Sequence, residues 1–116
     1  MNGNLPEGQS VGIVTNMKAE LILRQKEILD NGLVISMTVW KLPEPNAERP
    51  HGIKYSFHCG TLDGKTIVRY DNEHGKGDHR HYDGTETRYE FTTLDTLIRD
   101  FLNDVNMELS DAQGND

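Results

Sequence analysis

Apolar and polar residues alternate along most of this chain, and only near its end does the spacing turn helical. Ala19, Leu21 and Leu23 alternate with Glu20, Ile22 and Arg24; beyond Asp30-Asn31-Gly32, Leu33, Ile35, Met37 and Val39 alternate with Ser36 and Thr38. A period of two puts successive side chains on opposite faces of a strand, so the two runs predict a hairpin. Asn-Gly admits positive φ at both central positions of a type I′ turn, whose twist suits the flanking strands. A helix over Met17 to Leu29 is the competing reading, since Lys, Ala, Glu, Leu, Arg and Gln favour helices. It ranks second, because it leaves the run after Gly32 without its neighbouring strand.

Pro43, Pro45 and Pro50 place a loop between Leu42 and His51. Ile53, Tyr55, Phe57 and Cys59 then face one way and Lys54, Ser56 and His58 the other, and Asp63-Gly64 turns the chain into a strand over Thr66 to Asp71. Tyr82-Asp83-Gly84-Thr85 reads as a further turn, followed by a fifth strand in which Thr87, Tyr89 and Phe91 alternate with Glu86, Arg88 and Glu90. Leu94, Leu97, Ile98, Phe101, Leu102 and Val105 recur three and four apart, the stripe of an amphipathic helix, with Thr92 or Thr93 available as N-cap. The predicted fold class is α+β: an antiparallel sheet of about five strands with a C-terminal amphipathic helix packed on one face.

At 116 residues the chain is expected to hold a single α+β domain over 17–109, with a flexible arm or short edge strand over 1–16 and a disordered tail over 110–116. Hydrophobic content of 34% predicts a small core. No apolar run is long enough for a bilayer span and no leader sequence is evident, so membrane association is not expected. The single cysteine, Cys59, cannot form an intramolecular disulfide and points to a reducing cytoplasm. Net charge is −7 with histidines neutral, which opposes non-specific binding of a polyanion unless basic groups gather locally.

The chemistry concentrates between Tyr70 and His81, in Tyr-Asp-Asn-Glu-His-Gly-Lys-Gly-Asp-His-Arg-His. Gly75 and Gly77 free the backbone around Lys76 to turn its amides toward an anion, and Lys76 and Arg80 are candidate phosphate ligands. In extended backbone His79 and His81 project to one side, where one can act as base and the other as acid on a ribose 2′-hydroxyl and a leaving oxygen. Asp71 or Asp78 would orient a ring. The plain alternative is a solvated polar loop. A His-x-His pair with His74 or a carboxylate is also able to ligate a metal, but no established metal-binding spacing accompanies it, and neither a metal nor another cofactor is expected. Cys59 reads as a core residue, Trp40 as packing beneath the proline loop, and His58 as an exposed histidine unless the sheet brings it near Asp71.

In Ile67-Val68-Arg69-Tyr70-Asp71-Asn72, in Lys76-Gly77-Asp78-His79-Arg80-His81, and in Tyr89-Glu90-Phe91 before a Leu-rich helix reaching Asp100-Phe101, the chain resembles the TumE family of small prokaryotic toxin-antitoxin proteins. The resemblance spans roughly Ala19 to Val105. It implies a toxin component encoded beside, and binding, a small antitoxin, often a helix-turn-helix protein, and marks Asp71, His79, Arg80 and His81 as positions of interest. It supplies no settled reaction. Two functions compete: a toxin that acts on RNA by metal-independent histidine acid-base chemistry, and a non-catalytic module that binds a protein partner. Self-association stays open.

Overall fold

The computed structural model describes residues 18–73, 75 and 77–114. Six strands, β1 (Glu20–Ile28), β2 (Leu33–Lys41), β3 (Ile53–Thr61), β4 (Thr66–Asp71), β5 (His79–Tyr82) and β6 (Thr85–Arg88), precede one helix, α1 (Leu94–Gly114). They form an antiparallel sheet in sequence order, β1-β2-β3-β4-β5-β6, so every strand pairs with its chain neighbour. The α+β expectation holds, with one strand more than the alternation predicted.

The additional strand is β5, His-Arg-His-Tyr, whose polar residues gave no apolar alternation. Its inward arginine is neutralised by a helix carboxylate, so a charged side chain occupies a position where pattern reading looks for an apolar one. The strand expected through Phe91 stops at Arg88. Tyr89 and Phe91 leave the sheet and pack against the core instead. The 1–16 arm lies outside the described residues.

Each hairpin turn follows its local chemistry. The β1–β2 and β3–β4 connections are closed by a donor from Leu29 to the Leu33 carbonyl and from Thr61 to the Lys65 carbonyl, leaving three-residue loops that end in glycine. Only Gly32 (φ 88°), and not Asn31, is left-handed in the first, so this is not the expected type I′ turn. The β5–β6 turn is the type I′ one, with Asp83 at φ 53° and Gly84 at φ 78°.

One face of the sheet is closed by the helix. Ile35, Met37, Val39, Tyr55, Phe57, Cys59, Val68 and Tyr70 meet Leu97, Phe101 and Val105, whose i, i+4, i+8 spacing forms a single stripe. Full burial of side chains such as Phe57 and Phe101 stabilises the fold by about 1.5–3 kcal/mol each. Thr93 caps α1, its Oγ1 accepting from Thr96 N at 3.1 Å. The helix continues to Gly114, past the boundary at Leu109, since extending a helix already formed needs no buried side chain. Between α1 and β1 the helix leaves an apolar groove of about 360 Å³ lined by Leu23, Ile35, Met37, Ile98 and Leu102 among others. No helix among the described residues is long and apolar enough to cross a membrane.

Candidate functional site

Among the described residues the other face carries no helix, and the register determines what it displays. One row runs across five strands as Ser36, His58, Arg69, His81 and Glu86; the next holds Thr38, Ser56, Asp71, His79 and Arg88. Trp40 and Lys54 are paired in a third row, and Arg24 and Lys26 extend the first two on β1. The paired rows hold five Lys or Arg residues (Arg24, Lys26, Lys54, Arg69, Arg88) against two carboxylates, Asp71 and Glu86, in a chain whose net charge is −7. A locally basic surface therefore exists within an acidic protein.

The loop leaving β4 is anchored so that β5 returns in register. Tyr55 N donates to Asn72 Oδ1 at 3.1 Å, Asn72 Nδ2 donates to the Ile53 carbonyl at 2.8 Å, and Arg49 Nη2 donates to the Asn72 carbonyl at 2.7 Å. A side-chain amide thus continues the ladder where the backbone departs from it. Next to this anchor, Asp71 is buried between a guanidinium and an imidazole, with Arg69 Nε 3.2 Å from Oδ2 and His79 Nε2 3.0 Å from Oδ1. Both are close contacts without hydrogen-bond alignment. His79 Nε2 also lies 3.2 Å from Glu86 Oε2, and Nδ1 lies 3.1 Å from the Gly77 carbonyl. The ring is buried, with Nδ1 at the Gly77 carbonyl and Nε2 beside two carboxylates, an arrangement suited to holding those carboxylates in place.

His81 differs. Its Nδ1 is buried without a hydrogen-bond partner, which leaves Nε2 as the nitrogen able to meet a ligand. It opens on a recess of about 250 Å³ shared with Lys65, Thr66 and Asp83 and reaching round to Glu108 of α1. Two strands away His58 completes the row, its Nε2 2.9 Å from Thr66 Oγ1 and its ring over Gly60. A Cβ at Gly60 would stand 2.7 Å from His58 Cε1 and 2.5 Å from the Lys65 carbonyl oxygen, so only glycine permits this ring position. Burial, and secondarily the Arg69 charge, lowers the His58 pKa from its ordinary 6.5 and favours the neutral ring. His58 and His81 thus flank Arg69, about 10 Å apart across two strand spacings.

Of the residues singled out in the sequence, Asp71, His79 and His81 come together on this face. Arg80 does not. It points to the helix side, where its Nε donates to Asp104 Oδ2 at 2.7 Å and to Tyr70 Oη at 3.1 Å, and its guanidinium lies 5.0 Å from the Tyr82 ring centre. Lys76 and His74 lie outside the described residues. Asp78 orients a ring, but that of His51: His51 Nε2 sits 3.0 Å from Asp78 Oδ2, which also accepts from Tyr55 Oη at 2.8 Å. With Ile53 N donating to His51 Nδ1 and Phe91 stacked at 3.9 Å, His51 is satisfied as a structural joint. Burial and these aspartates raise the pKa values of Tyr55, Tyr70 and Tyr89, so none is a phenolate near neutral pH.

Sequence reasoning missed Arg69 and Glu86 as members of the site and left His58 conditional. The missing signal was the inter-strand register, which pairs Arg69 with both His58 and His81 and depends on the hairpin turns and on the irregularity between Cys59 and Gly60. The described residues contain no group of three or more His, Cys, Asp or Glu arranged to hold a metal.

A six-stranded antiparallel sheet with one face under a helix and the other, among the described residues, uncovered and carrying three histidines defines a small α+β protein. The family model described as Toxin TumE matches residues 18–109, so the chain belongs to that family. Membership makes it a toxin component and suggests an antitoxin as its partner. No curated protein and no solved structure matches it.

Proposed function

We propose that this toxin acts on RNA through the open sheet face. The observation that carries the reading is the row His58–Arg69–His81 on a basic surface of an otherwise acidic chain. Counter-ion release at a local cluster of Lys and Arg supplies affinity for a polyphosphate even when net charge does not. Arg69, fixed by Asp71, holds non-bridging phosphate oxygens by its fork. One of the two flanking histidines takes the proton from the ribose 2′-hydroxyl and the other protonates the departing 5′-oxygen, so that the P–O2′ bond forms as P–O5′ breaks. His58, held neutral, suits the base; His81 Nε2 serves as acid. Asp71 and His79 act by positioning Arg69 and β6, and Arg80 supports the site from the opposite face through Tyr70 and Tyr82. The route needs no metal. Cys59, buried and unpaired, fits action in a reducing cytoplasm, and the partner is an antitoxin of the helix-turn-helix kind.

Expression of the wild-type protein without antitoxin is expected to arrest growth, and the His58→Ala/His81→Ala protein to be harmless while retaining its circular-dichroism spectrum. Full toxicity in that double variant, at equal abundance, overturns the proposed chemistry.

The apolar groove beside β1, together with exposed Leu21 and Ile22 on this edge strand, favours a second reading, a non-catalytic partner-binding module. Tight co-purification with the antitoxin, with no RNA turnover by the freed toxin, would support it.

A further inference from the structure

We infer that Trp40, with Arg24 and Lys54, forms a subsite that stacks a nucleobase of single-stranded RNA, on a nucleotide flanking the one that reacts; the inference rests on the RNA reading of the open face. The chain has one tryptophan, and it stands on this face. Trp40 is paired with Leu21 on one side and Lys54 on the other, in strand phase with Thr38 and Ser36 and out of phase with the core residues Val39 and Met37. It is half-buried and is absent from the side chains packed on the core. The Arg24 guanidinium lies over its ring, 5.7 Å from the centre. Once the Arg24 guanidinium swings from the ring to a phosphate, a large aromatic ring on a polar sheet surface, bordered by two cations, offers a π-face and phosphate charge together, which is the chemistry by which proteins hold single strands.

The register also sets the distance. Trp40 lies four residues along β2 from Ser36, the β2 member of the His58–Arg69–His81 row, and Arg69 lies two strands across. With a rise of about 3.3 Å per residue and a strand spacing of about 4.8 Å, Trp40 and Arg69 are about 16 Å apart. That is too far for the base and phosphate of one nucleotide, so the stacked base belongs to a neighbour along the strand. The subsite therefore sets a minimum substrate length and excludes duplex RNA, whose bases are already stacked.

Because Trp40 is the sole tryptophan beside four tyrosines, fluorescence excited selectively at tryptophan reports this position alone. A single-stranded 2′-O-methyl oligoribonucleotide, in which turnover is blocked, is titrated into the full-length protein, and the anisotropy of a labelled copy measures binding separately. The expected result is saturable quenching that coincides with the anisotropy change. Trp40→Ala is expected to weaken binding roughly tenfold or more, Trp40→Phe to retain most of it, and a blunt duplex of the same sequence to compete poorly. Normal anisotropy binding by Trp40→Ala, absence of quenching in the wild type despite binding, or equal competition by duplex overturns the subsite while leaving RNA binding intact. No anisotropy change with the wild type overturns the RNA reading and the subsite with it.

Discussion

The two faces of this sheet are built from the same strands and put the same residue types to opposite uses. On the closed face Arg80 is tied to Asp104 and Tyr70 against α1, and this bond, along with burial, turns a charged group into part of the core boundary. One residue to either side, His79 and His81 emerge on the open face among Arg69, Asp71 and Glu86. Residue type alone does not say which face a charged side chain serves; strand phase does. The lesson is sharpest in β5, where Arg80 and His81 are adjacent in sequence and separated by the sheet.

If the faces divide the labour in this way, substitutions should divide too. Phe101→Ala on the closed face is expected to cost about 3–5 kcal/mol in urea-unfolding free energy, through lost burial and a cavity against Phe57 and Tyr70. His81→Ala should do the converse, lowering RNA cleavage about 100-fold or more while leaving the unfolding midpoint within about 0.5 kcal/mol of wild type. A large stability loss at His81 with activity intact would erase the distinction. Asp104→Ala is expected to destabilise by about 2 kcal/mol, because Tyr70 and Arg80 lose a shared acceptor at a largely buried position.

Gly60→Ala tests the join between the faces. The added methyl must displace the His58 ring or the Lys65 carbonyl, so about 1–2 kcal/mol of stability should be lost and cleavage should fall with it. The smallest effect is a pH dependence. Because the folded protein lowers the His58 pKa below 6.5, the unfolded chain binds more protons as pH falls through that value. This part of the stability is present above about pH 6.5, declines on acidification, and levels off once the folded ring is also protonated. Unfolding midpoints at pH 7 and pH 5 should therefore differ less in His58→Gln than in wild type.

Much of this architecture was legible in the sequence because it follows from local rules. Alternation located β1 to β4, glycine-bearing turns located their connections, and the Leu94–Val105 stripe with Thr93 as cap located α1. What was not legible depended on contacts distant along the chain. Strand β5 reads as a polar loop until Asp104 on α1 neutralises Arg80 and Tyr70 on β4 accepts a hydrogen bond from it, and Tyr89 and Phe91 continue an alternation that the core captures for another purpose. At the site, the His79-x-His81 spacing correctly suggested two rings on one side. It said nothing of Arg69 and His58, which join them only through the pairing of β3, β4 and β5.

The most direct measurement is a titration of a non-cleavable single-stranded RNA into uniformly labelled protein, followed by backbone amide and tryptophan indole shifts. The RNA reading predicts perturbations along Ser36, Thr38, Ser56, Arg69 and His81 and at the Trp40 indole, with α1 nearly silent. Shifts confined to α1 and the groove at Leu23 and Leu102, or no shifts at all, would contradict it.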